Sequence, residues 1–286
     1  MHSNYFPDLD TRTYVMGILN LTSDSFSGDG LLNVDRVVDT ALAQASRFLE
    51  EGADVLDLGA ESTRPGAIPV TARQEIDRLV PLIIQLKEIF PEVLISIDTY
   101  KAEVAEACLE VGAQIINDVW GFRFDPGMAG VVAAHQASAV LMHNRDKVKT
   151  SQQTELGGRY VEVEYKDVVA SVRRGLEKSI ELAKAAGLSD EQIIIDPGIG
   201  FGKTTAHNLE LLKRLGELKN LGYPLLLGVS RKSVIGYTLD LPPDQRLEGS
   251  LAANAWGVTQ GAHILRVHDV KETVRLVRML DAIRAA

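Results

Sequence analysis

The feature that most constrains this chain is one pattern repeated eight times. From Tyr14 onward, a short apolar segment is followed by a polar or glycine-containing loop and then by a longer segment with helical periodicity. The predicted strands begin at Tyr14, Asp54, Val93, Gln114, Ala139, Gln192, Pro224 and His263. The predicted helices lie at about 35–51, 71–90, 101–111, 126–134, 161–186, 205–221, 244–260 and 270–285. Eight βα units without a polar linker between them predict an α/β fold, a single (β/α)8 TIM barrel.

The length of the chain agrees with this prediction. At 286 residues the sequence could hold two average domains, but α/β barrels commonly reach this size as one domain. We therefore predict one domain over residues 1–286, with its core at about 14–285. A doubly wound open sheet is the structural alternative, although it usually has fewer strands.

Composition argues against several classes of function. A net charge of −9 disfavours binding to nucleic acid or to an anionic membrane, so any anion site must be a local concentration of cations. The single cysteine, Cys108, excludes an intramolecular disulfide and fits a reducing compartment. No segment has the pattern of a signal peptide, and no apolar run approaches the roughly 18 residues of a membrane helix. These observations predict a cytoplasmic protein.

Barrel geometry gives the polar residues a common location. Active sites in this fold lie at the carboxyl ends of the strands. Period-two alternation places Ser96 and Asp98 on one face of the third strand, and Ile264, Arg266 and His268 on one face of the last. The polar and adjoining residues that follow the predicted strands are Asn20, Asp57, Glu61, Arg64, Asp98, Asn117, Asp118, Met142, His143, Asp196, Ser230, Arg231, Lys232, Arg266 and His268.

The side chains at these strand ends suggest a ligand. Asp98, Asn117 and Asp196 supply acceptors and one amide, which suits a flat heterocycle with amidine-like N–H groups. The cations at the strand ends suggest that the substrate is also anionic, with a phosphate or pyrophosphate group. These cations are Arg64, Lys203, Arg231, Lys232, Arg266 and His268.

Three loops are long enough to matter. Residues 21–33 and 59–70 are predicted to be mobile loops over the barrel mouth. Residues 144–159 carry no recognisable motif and are predicted to be a surface excursion. The glycine-rich stretch from Asp196 to Lys203 suggests a phosphate cradle, but Pro197 stands where a P-loop requires glycine.

Other chemistries have less support. The six histidines form no metal motif and the cysteine has no partner, so a protein zinc site is not expected. Gly-x-Ser-x-Gly is absent, which removes support for a nucleophilic serine. Lys232 could form a Schiff base, as barrel lysines sometimes do, but its cationic neighbours fit anion binding as well.

Seven motifs together resemble the dihydropteroate synthase family, in the right order from about Tyr14 to Val277. They are Gly17-Ile-Leu-Asn-Leu-Thr-Ser-Asp-Ser-Phe-Ser27, Glu61-Ser-Thr-Arg-Pro-Gly66, Ser96-Ile-Asp-Thr99, Ile116-Asn-Asp-Val119, Asp196-Pro-Gly-Ile-Gly-Phe-Gly-Lys203, Ser230-Arg-Lys-Ser233 and Arg266-Val-His268. The resemblance implies condensation of 4-aminobenzoate with 7,8-dihydropterin-6-ylmethyl diphosphate, giving 7,8-dihydropteroate and pyrophosphate. It also implies Mg²⁺ as cofactor and a homodimer.

The resemblance assigns a role to each candidate residue. Those implied to hold the pterin are Asp98, Asn117, Asp196 and Lys232. Those implied for the diphosphate and magnesium are Asn20, Thr63, Arg266 and His268, with Asn20 as the protein contact to the metal. Those implied for 4-aminobenzoate are Asp24, Phe26, Arg64, Phe201, Lys232 and Ser233. Met142, Lys203 and Ser230 complete the predicted substrate-binding set, and the catalytic candidates are Asp98, Lys232, Arg266 and His268.

One departure from the family leaves alternatives open. Ser23 stands where the family usually has proline, and it can change the stiffness of the first loop. A non-catalytic pterin-binding homologue is therefore one alternative. A methyltransferase acting on methyltetrahydrofolate shares the pterin-binding acids and is another. A phosphosugar aldolase that uses Lys232 is a more distant one.

Overall fold

A computed structural model describes residues 3–21, 34–61, 69–145 and 151–286. Its strands are β1 (Tyr14–Asn20), β2 (Val55–Gly59), β3 (Leu94–Asp98), β4 (Ile115–Asp118), β5 (Ser138–Met142), β6 (Ser151–Thr154), β7 (Gly157–Tyr160), β8 (Ile193–Asp196), β9 (Leu226–Leu227) and β10 (Ile264–Val267). Eight of them form one parallel sheet in the order β8-β5-β4-β3-β2-β1-β10-β9. A parallel bridge between Ile195 and Leu225 brings the two ends of this order together. The predicted α/β class and (β/α)8 barrel are confirmed.

The helices surround this sheet. They are α1 (Val34–Glu50), α2 (Ala72–Ile89), α3 (Ala102–Glu110), α4 (Met128–Ala134), α5 (Val168–Ala185), α6 (Thr205–Lys213), α7 (Ser233–Leu239), α8 (Leu247–Thr259) and α9 (Val270–Ala285), with 3-10 helices at Asp190–Gln192, Leu215–Leu221 and Pro243–Gln245. No described helix is both long and apolar enough to span a bilayer.

Three differences from the predicted helices have local causes. The helix predicted at 161–186 begins at Val168, because the Asp167 side chain caps it by accepting from the amide of Ala170 at 3.0 Å. The helix predicted at 205–221 changes to 3-10 geometry at Leu215 and ends at Gly222, which is left-handed with φ of 82°. Helix α7 was not predicted, since its seven residues are too few for a clear helical period.

Strand alternation explains how the barrel interior is layered. Strand residues of one parity point inward and form an apolar layer across the lower barrel, consisting of Tyr14, Met16, Val55, Ile115, Val140, Ile194, Leu226 and Ile264, and Phe6 and Leu9 from the chain before β1 pack in the same cluster. Two residues further along four of these strands stand Asp57, Asn117, Asp196 and Arg266. Because residues i and i+2 share a face, each apolar side chain lies directly below a polar one. The strands therefore carry a polar layer at the mouth above an apolar floor.

The chain that precedes β1 closes the lower end of the barrel. Phe6 is fully buried, and its ring meets Tyr14 edge to face with centroids 4.9 Å apart. The Tyr14 hydroxyl accepts from the amide of Asp8 at 3.2 Å, which holds this segment in place. The predicted core, which starts at residue 14, misses this plug.

The segment predicted as a surface excursion contains an antiparallel hairpin. Strands β6 and β7 pair from Ser151 with Tyr160 to Thr154 with Gly157. The hairpin packs on α7, where the Tyr237 hydroxyl donates to the Gly157 carbonyl at 2.9 Å. The two loops predicted to be mobile, 21–33 and 59–70, lie largely outside the described residues.

Replacing Phe6 tests the plug. Phe6→Ala should lower the free energy of unfolding by about 3–5 kcal/mol, because it leaves a cavity under the apolar layer. Ile89→Ala is the control, since Ile89 is 57% exposed and its loss should cost less than about 1 kcal/mol. Urea denaturation followed by circular dichroism measures both. Equal effects would contradict a plugging role.

Candidate active site at the barrel mouth

The centre of the mouth is a network of charges around Arg266. Its Nε donates to Asp57 Oδ2 at 2.6 Å, and its Nη2 donates to Asp98 Oδ2 at 2.6 Å. Asp57 also accepts from Asn117 Nδ2 at 3.3 Å and from the Ser96 hydroxyl at 2.6 Å. These five residues come from four strands, β2, β3, β4 and β10, so the network depends on the curvature of the sheet that brings these strands together.

Asp57 is the buried acceptor that connects the other residues of this network. Its side chain is fully buried, and both of its oxygens accept hydrogen bonds from protein groups. Burial disfavours the charge of Arg266, but Asp57 and Asp98 outweigh this and raise the pKa of the guanidinium. Arg266 therefore stays charged and is held in one orientation.

Asp98 differs because one of its oxygens is left open. Oδ2 accepts from Arg266, whereas the buried Oδ1 has no hydrogen-bond partner among the described residues. Burial raises the pKa of Asp98, and the charge of Arg266 opposes this shift. A buried acceptor without a partner is costly unless a ligand supplies the donor.

Asp196 lies at the same level on β8. Its Oδ1 accepts from the amide of Gly198 at 2.7 Å, and only 5% of the residue is exposed. Burial raises its pKa, while Lys232, the Gly198 bond and Arg266 lower it. The structure thus brings Asp98, Asn117 and Asp196 to one barrel mouth, as the strand-end argument predicted.

Lys232 connects two loops above Asp196. Its ammonium donates to the carbonyl of Ile199 and lies 4.7 Å from the centre of the Phe201 ring. Burial lowers its pKa to about 8, and the charge of Asp196 opposes the shift. Lys232 and Phe201 therefore form one wall of the site.

The other basic residues predicted at the strand ends differ in their partners and in their burial. His268 Nδ1 lies 3.1 Å from the Ser230 hydroxyl, which also accepts from the His268 amide at 3.2 Å. Arg231 forms an ion pair with Asp269 and is 43% exposed. Lys203 is only 2% exposed and lies inside the glycine-rich loop. Arg266 and Lys232 are thus the described cations placed at the centre of the mouth, and His268 lies beside Ser230.

A buried guanidinium supports the turn from Ser230 to Ser233. Arg246 donates to the carbonyls of Arg231 at 3.0 Å, Leu241 at 3.0 Å and Leu156 at 3.1 Å. It thereby joins the strand end, α7 and the hairpin. Ser233 is the first residue of α7, and so its position depends on this contact.

The other predicted residues are placed as follows. Asn20 ends β1 and pairs in register with Gly59, and Met142 ends β5 opposite Asp196. Ser23, Asp24, Phe26, Thr63 and Arg64 lie outside the described residues. Among those described, no three His, Cys, Asp or Glu side chains cluster as a metal site.

The sequence predicts no role for Asp57 beyond its place at a strand end. The structure places it in the middle of β2, which reads Val-Leu-Asp-Leu-Gly and is buried throughout. A single acid inside a fully apolar strand was the available signal. Such a residue needs a buried partner, and that partner is Arg266.

A second buried ion cluster lies beside this site. The Lys101 ammonium donates to Glu61 Oε2 at 2.7 Å, to the carbonyl of Val70 at 2.5 Å and to Glu75. The Tyr100 hydroxyl donates to Glu61 at 3.1 Å. These contacts tie Glu61 and Val70 to the segment that follows Asp98.

The fold and the site define a class of protein. A barrel whose mouth presents an open acid, an amide and a second acid suits a ring rich in N–H donors. Residues 16–268 match the family described as pterin binding enzyme, and the chain belongs to this family.

Known relatives narrow the class. The dihydropteroate synthase of Clostridium beijerinckii is 46% identical over 96% of each chain. That of Escherichia coli K12 is 42% identical over 96% of this chain and 93% of the relative. The resemblance to dihydropteroate synthase, a transferase of folate synthesis, is confirmed.

Solved structures agree with these relatives. A Clostridium difficile dihydropteroate synthase in the presence of pteroic acid superposes with a TM-score of 0.87, at 45% identity over 96% of this chain and 98% of that chain. The Xanthomonas albilineans dihydropteroate synthase with 4-aminobenzoic acid has a TM-score of 0.86, at 42% identity over 97% of this chain and 95% of that chain.

Removing the charge of Asp57 tests the network. Asp57→Asn should lower the free energy of unfolding by about 3 kcal/mol or more, because Arg266 loses one anionic partner inside the protein. Asp77→Asn is the control: Asp77 pairs with Arg73 at the surface, and its loss should cost less than about 1 kcal/mol. Urea denaturation at pH 7 measures both. Two equally small losses would contradict the buried role of Asp57.

Proposed function

We propose that this protein condenses 7,8-dihydropterin-6-ylmethyl diphosphate with 4-aminobenzoate to give 7,8-dihydropteroate and pyrophosphate. The observation that carries the proposal is the open Oδ1 of Asp98, which pairs in register with Asn117 and shares the barrel mouth with Asp196 in a member of the pterin-binding family. The two superposing structures, one determined in the presence of pteroic acid and the other with 4-aminobenzoic acid, support this choice of substrates.

The pterin ring is held by the inner part of the mouth. Asp98 Oδ1 accepts an N–H of the ring, and Asp196 accepts a second through Oδ2, since its Oδ1 already accepts from Gly198. Asn117 and Lys232 complete the contacts, and Met142 lies beside Asp196. The acids here are Asp57, Asp98 and Asp196, and the cations are Arg266 and Lys232. The ring therefore occupies a region with excess negative charge.

This charge balance assists bond cleavage. The bond between the methylene carbon and the diphosphate oxygen breaks, and the carbon becomes cationic as it does so. The dihydropterin ring delocalises that charge, and the nearby carboxylates of Asp98 and Asp196 stabilise it. The amine nitrogen of 4-aminobenzoate then forms the C–N bond and releases one proton to solvent.

The diphosphate and the arylamine occupy the rim. Arg266, His268 and Ser230, together with Asn20 and Thr63, bind the diphosphate and stabilise charge on the departing oxygens. Phe201, Lys232 and Ser233, with Asp24, Phe26 and Arg64, hold 4-aminobenzoate. The arylamine is a neutral nucleophile at pH 7, so positioning and electrostatics are sufficient and no strong base is needed.

Magnesium fits this arrangement as a partner of the substrate. Asn20 offers one amide oxygen, and the described residues provide no cluster of three metal-binding side chains. This donor set suits Mg²⁺ held mainly by substrate phosphates with one or two protein ligands. When bound, the metal would neutralise charge on the pyrophosphate group.

We also propose a cytoplasmic homodimer. The lone, buried Cys108 suits a reducing compartment. Trp256 on α8 and Met279 on α9 are 47% and 62% exposed, and large apolar side chains at a surface support a contact with a second copy. Sedimentation equilibrium distinguishes a dimer from a monomer.

Pyrophosphate release tests the proposed reaction. The purified protein with the pterin diphosphate and Mg²⁺ should release pyrophosphate only when 4-aminobenzoate is added. A coupled phosphate assay with and without 4-aminobenzoate measures this. Methyl transfer from methyltetrahydrofolate without pyrophosphate release would overturn the proposal, and so would pterin diphosphate binding without turnover.

Replacing Asp98 tests the pterin contact. Asp98→Asn should weaken binding of the pterin diphosphate by about 10- to 100-fold, because an amide replaces the charged acceptor. Isothermal titration calorimetry measures the affinity. Asp125→Asn serves as the control: that side chain caps α3 through the amide of Ala102 and should leave the affinity unchanged. Normal affinity in Asp98→Asn would remove Asp98 from the site.

The lowered pKa of Lys232 predicts a pH dependence. In the proposed site, Lys232 binds the substrates in its ammonium form. The value of kcat/KM should therefore fall as the pH rises through about 8, where Lys232 loses its proton. Arginine stays protonated in this range, so Lys232→Arg should remove this fall whatever its effect on the maximal rate. An unchanged alkaline limb in Lys232→Arg would assign the fall to another group.

A further inference from the structure

Lys203 is buried inside the glycine-rich loop, residues 197–203, where burial lowers the pKa of its ammonium to about 7 and the charge of Asp196 opposes the shift. Its ammonium donates to the carbonyls of Gly198 at 2.8 Å and Phe201 at 2.9 Å, and it lies 3.1 Å from His143 Nδ1. An ammonium has three N–H donors, and three acceptors surround it. Since only 2% of Lys203 is exposed, its charge is directed at the protein rather than at the barrel mouth.

His143 is the fixed partner in this arrangement. Burial and the charge of Lys203 lower the pKa of His143 to about 2, so the ring is neutral and its Nδ1 accepts from Lys203. The His143 amide donates to the Asp196 carbonyl at 2.9 Å. A Cβ at Gly175 would lie 2.5 Å from the imidazole, so the ring packs directly against α5.

The loop has little freedom around these contacts. Two more of its carbonyls accept hydrogen bonds: that of Ile199 from Lys232, and that of Gly202 from the Tyr165 hydroxyl at 2.9 Å. Gly198 has φ of 68°, and a Cβ there would lie 1.9 Å from the His143 carbonyl oxygen. Only glycine permits this close approach.

The same loop positions two residues of the proposed site. The Gly198 amide donates to Asp196 Oδ1 at 2.7 Å, while the Gly198 carbonyl accepts from Lys203. The Phe201 carbonyl accepts a hydrogen bond from Lys203, and the Phe201 ring lies against the ammonium of Lys232. Lys203 is therefore connected to Asp196 through one residue, Gly198, and it contacts Phe201 directly.

We propose that Lys203 is a positioning residue, which sets the shape of the glycine-rich loop from inside and thereby places Asp196 and Phe201. It binds no substrate, in contrast to the role predicted from the sequence. The inference rests on the proposed function only for the reaction that serves as its assay.

The test is a double-mutant cycle in the full-length protein. Lys203→Met should lower kcat/KM for 4-aminobenzoate by about 10- to 100-fold, since a small misplacement of the aromatic wall has effects of this size. In the background of Phe201→Leu the same change should cost much less, because the residue through which it acts is already altered. Lys213→Met, an exposed lysine on α6, is the control and should leave the rate unchanged.

Several results would overturn the inference. A normal rate in Lys203→Met would do so, as would costs of Lys203→Met and Phe201→Leu that multiply independently. If Lys203→Met fails to fold by circular dichroism, His143 provides the second test: His143→Leu should reduce the rate, whereas His143→Asn, which keeps an acceptor, should retain most of it. Equal rates in these two variants would contradict the inference. A wild-type protein that releases no pyrophosphate would instead refute the proposed function.

Discussion

The site depends on one interaction, the guanidinium of Arg266 held between Asp57 and Asp98. Asp57 is fully buried and fully hydrogen-bonded, so it fixes one side of the guanidinium. Arg266 then satisfies one oxygen of Asp98 and leaves the other open. A buried charge is tolerated when it is paired, and the open oxygen of Asp98, which has no partner among the described residues, is left for a donor from a ligand. The preference for a ligand with N–H donors follows from this geometry.

The fold makes this interaction possible through alternation. The strands that carry Val55, Ile115, Ile194 and Ile264 in the apolar layer carry a polar residue two positions later. The closed sheet brings these polar residues together at the mouth, while Phe6 seals the opposite end. Outside this layer, two buried cations support the loops: Lys203 within the glycine-rich loop, and Arg246 beneath the turn that leads to Ser233. The loops that carry Asp196, Phe201 and Ser233 are thus held by contacts within the protein.

Much of this was predictable from the sequence because it depends on local patterns. The repeated βα pattern predicts the barrel, and their positions at strand ends predict that Asp98, Asn117 and Asp196 meet at its mouth. Asp57 was left without a role because its importance lies in a pairing with Arg266, 209 residues later in the chain. The sequence predicts an anion-binding role for Lys203 because it does not show that this side chain is buried. The hairpin at Ser151–Tyr160 and the plug at Phe6 were missed for a related reason, since each is stabilised by distant contacts rather than by its own periodicity.

In the proposed complex, Asp98 Oδ1 accepts a hydrogen bond from the pterin while Arg266 stays between Asp57 and Asp98. A crystal structure with 6-hydroxymethyl-7,8-dihydropterin bound tests this most directly. We expect a ring N–H within hydrogen-bond distance of Asp98 Oδ1, with the contacts of Arg266 to Asp57 and Asp98 retained. A ring bound away from Asp98, or an Arg266 that leaves Asp57 to contact the ring, would contradict the account.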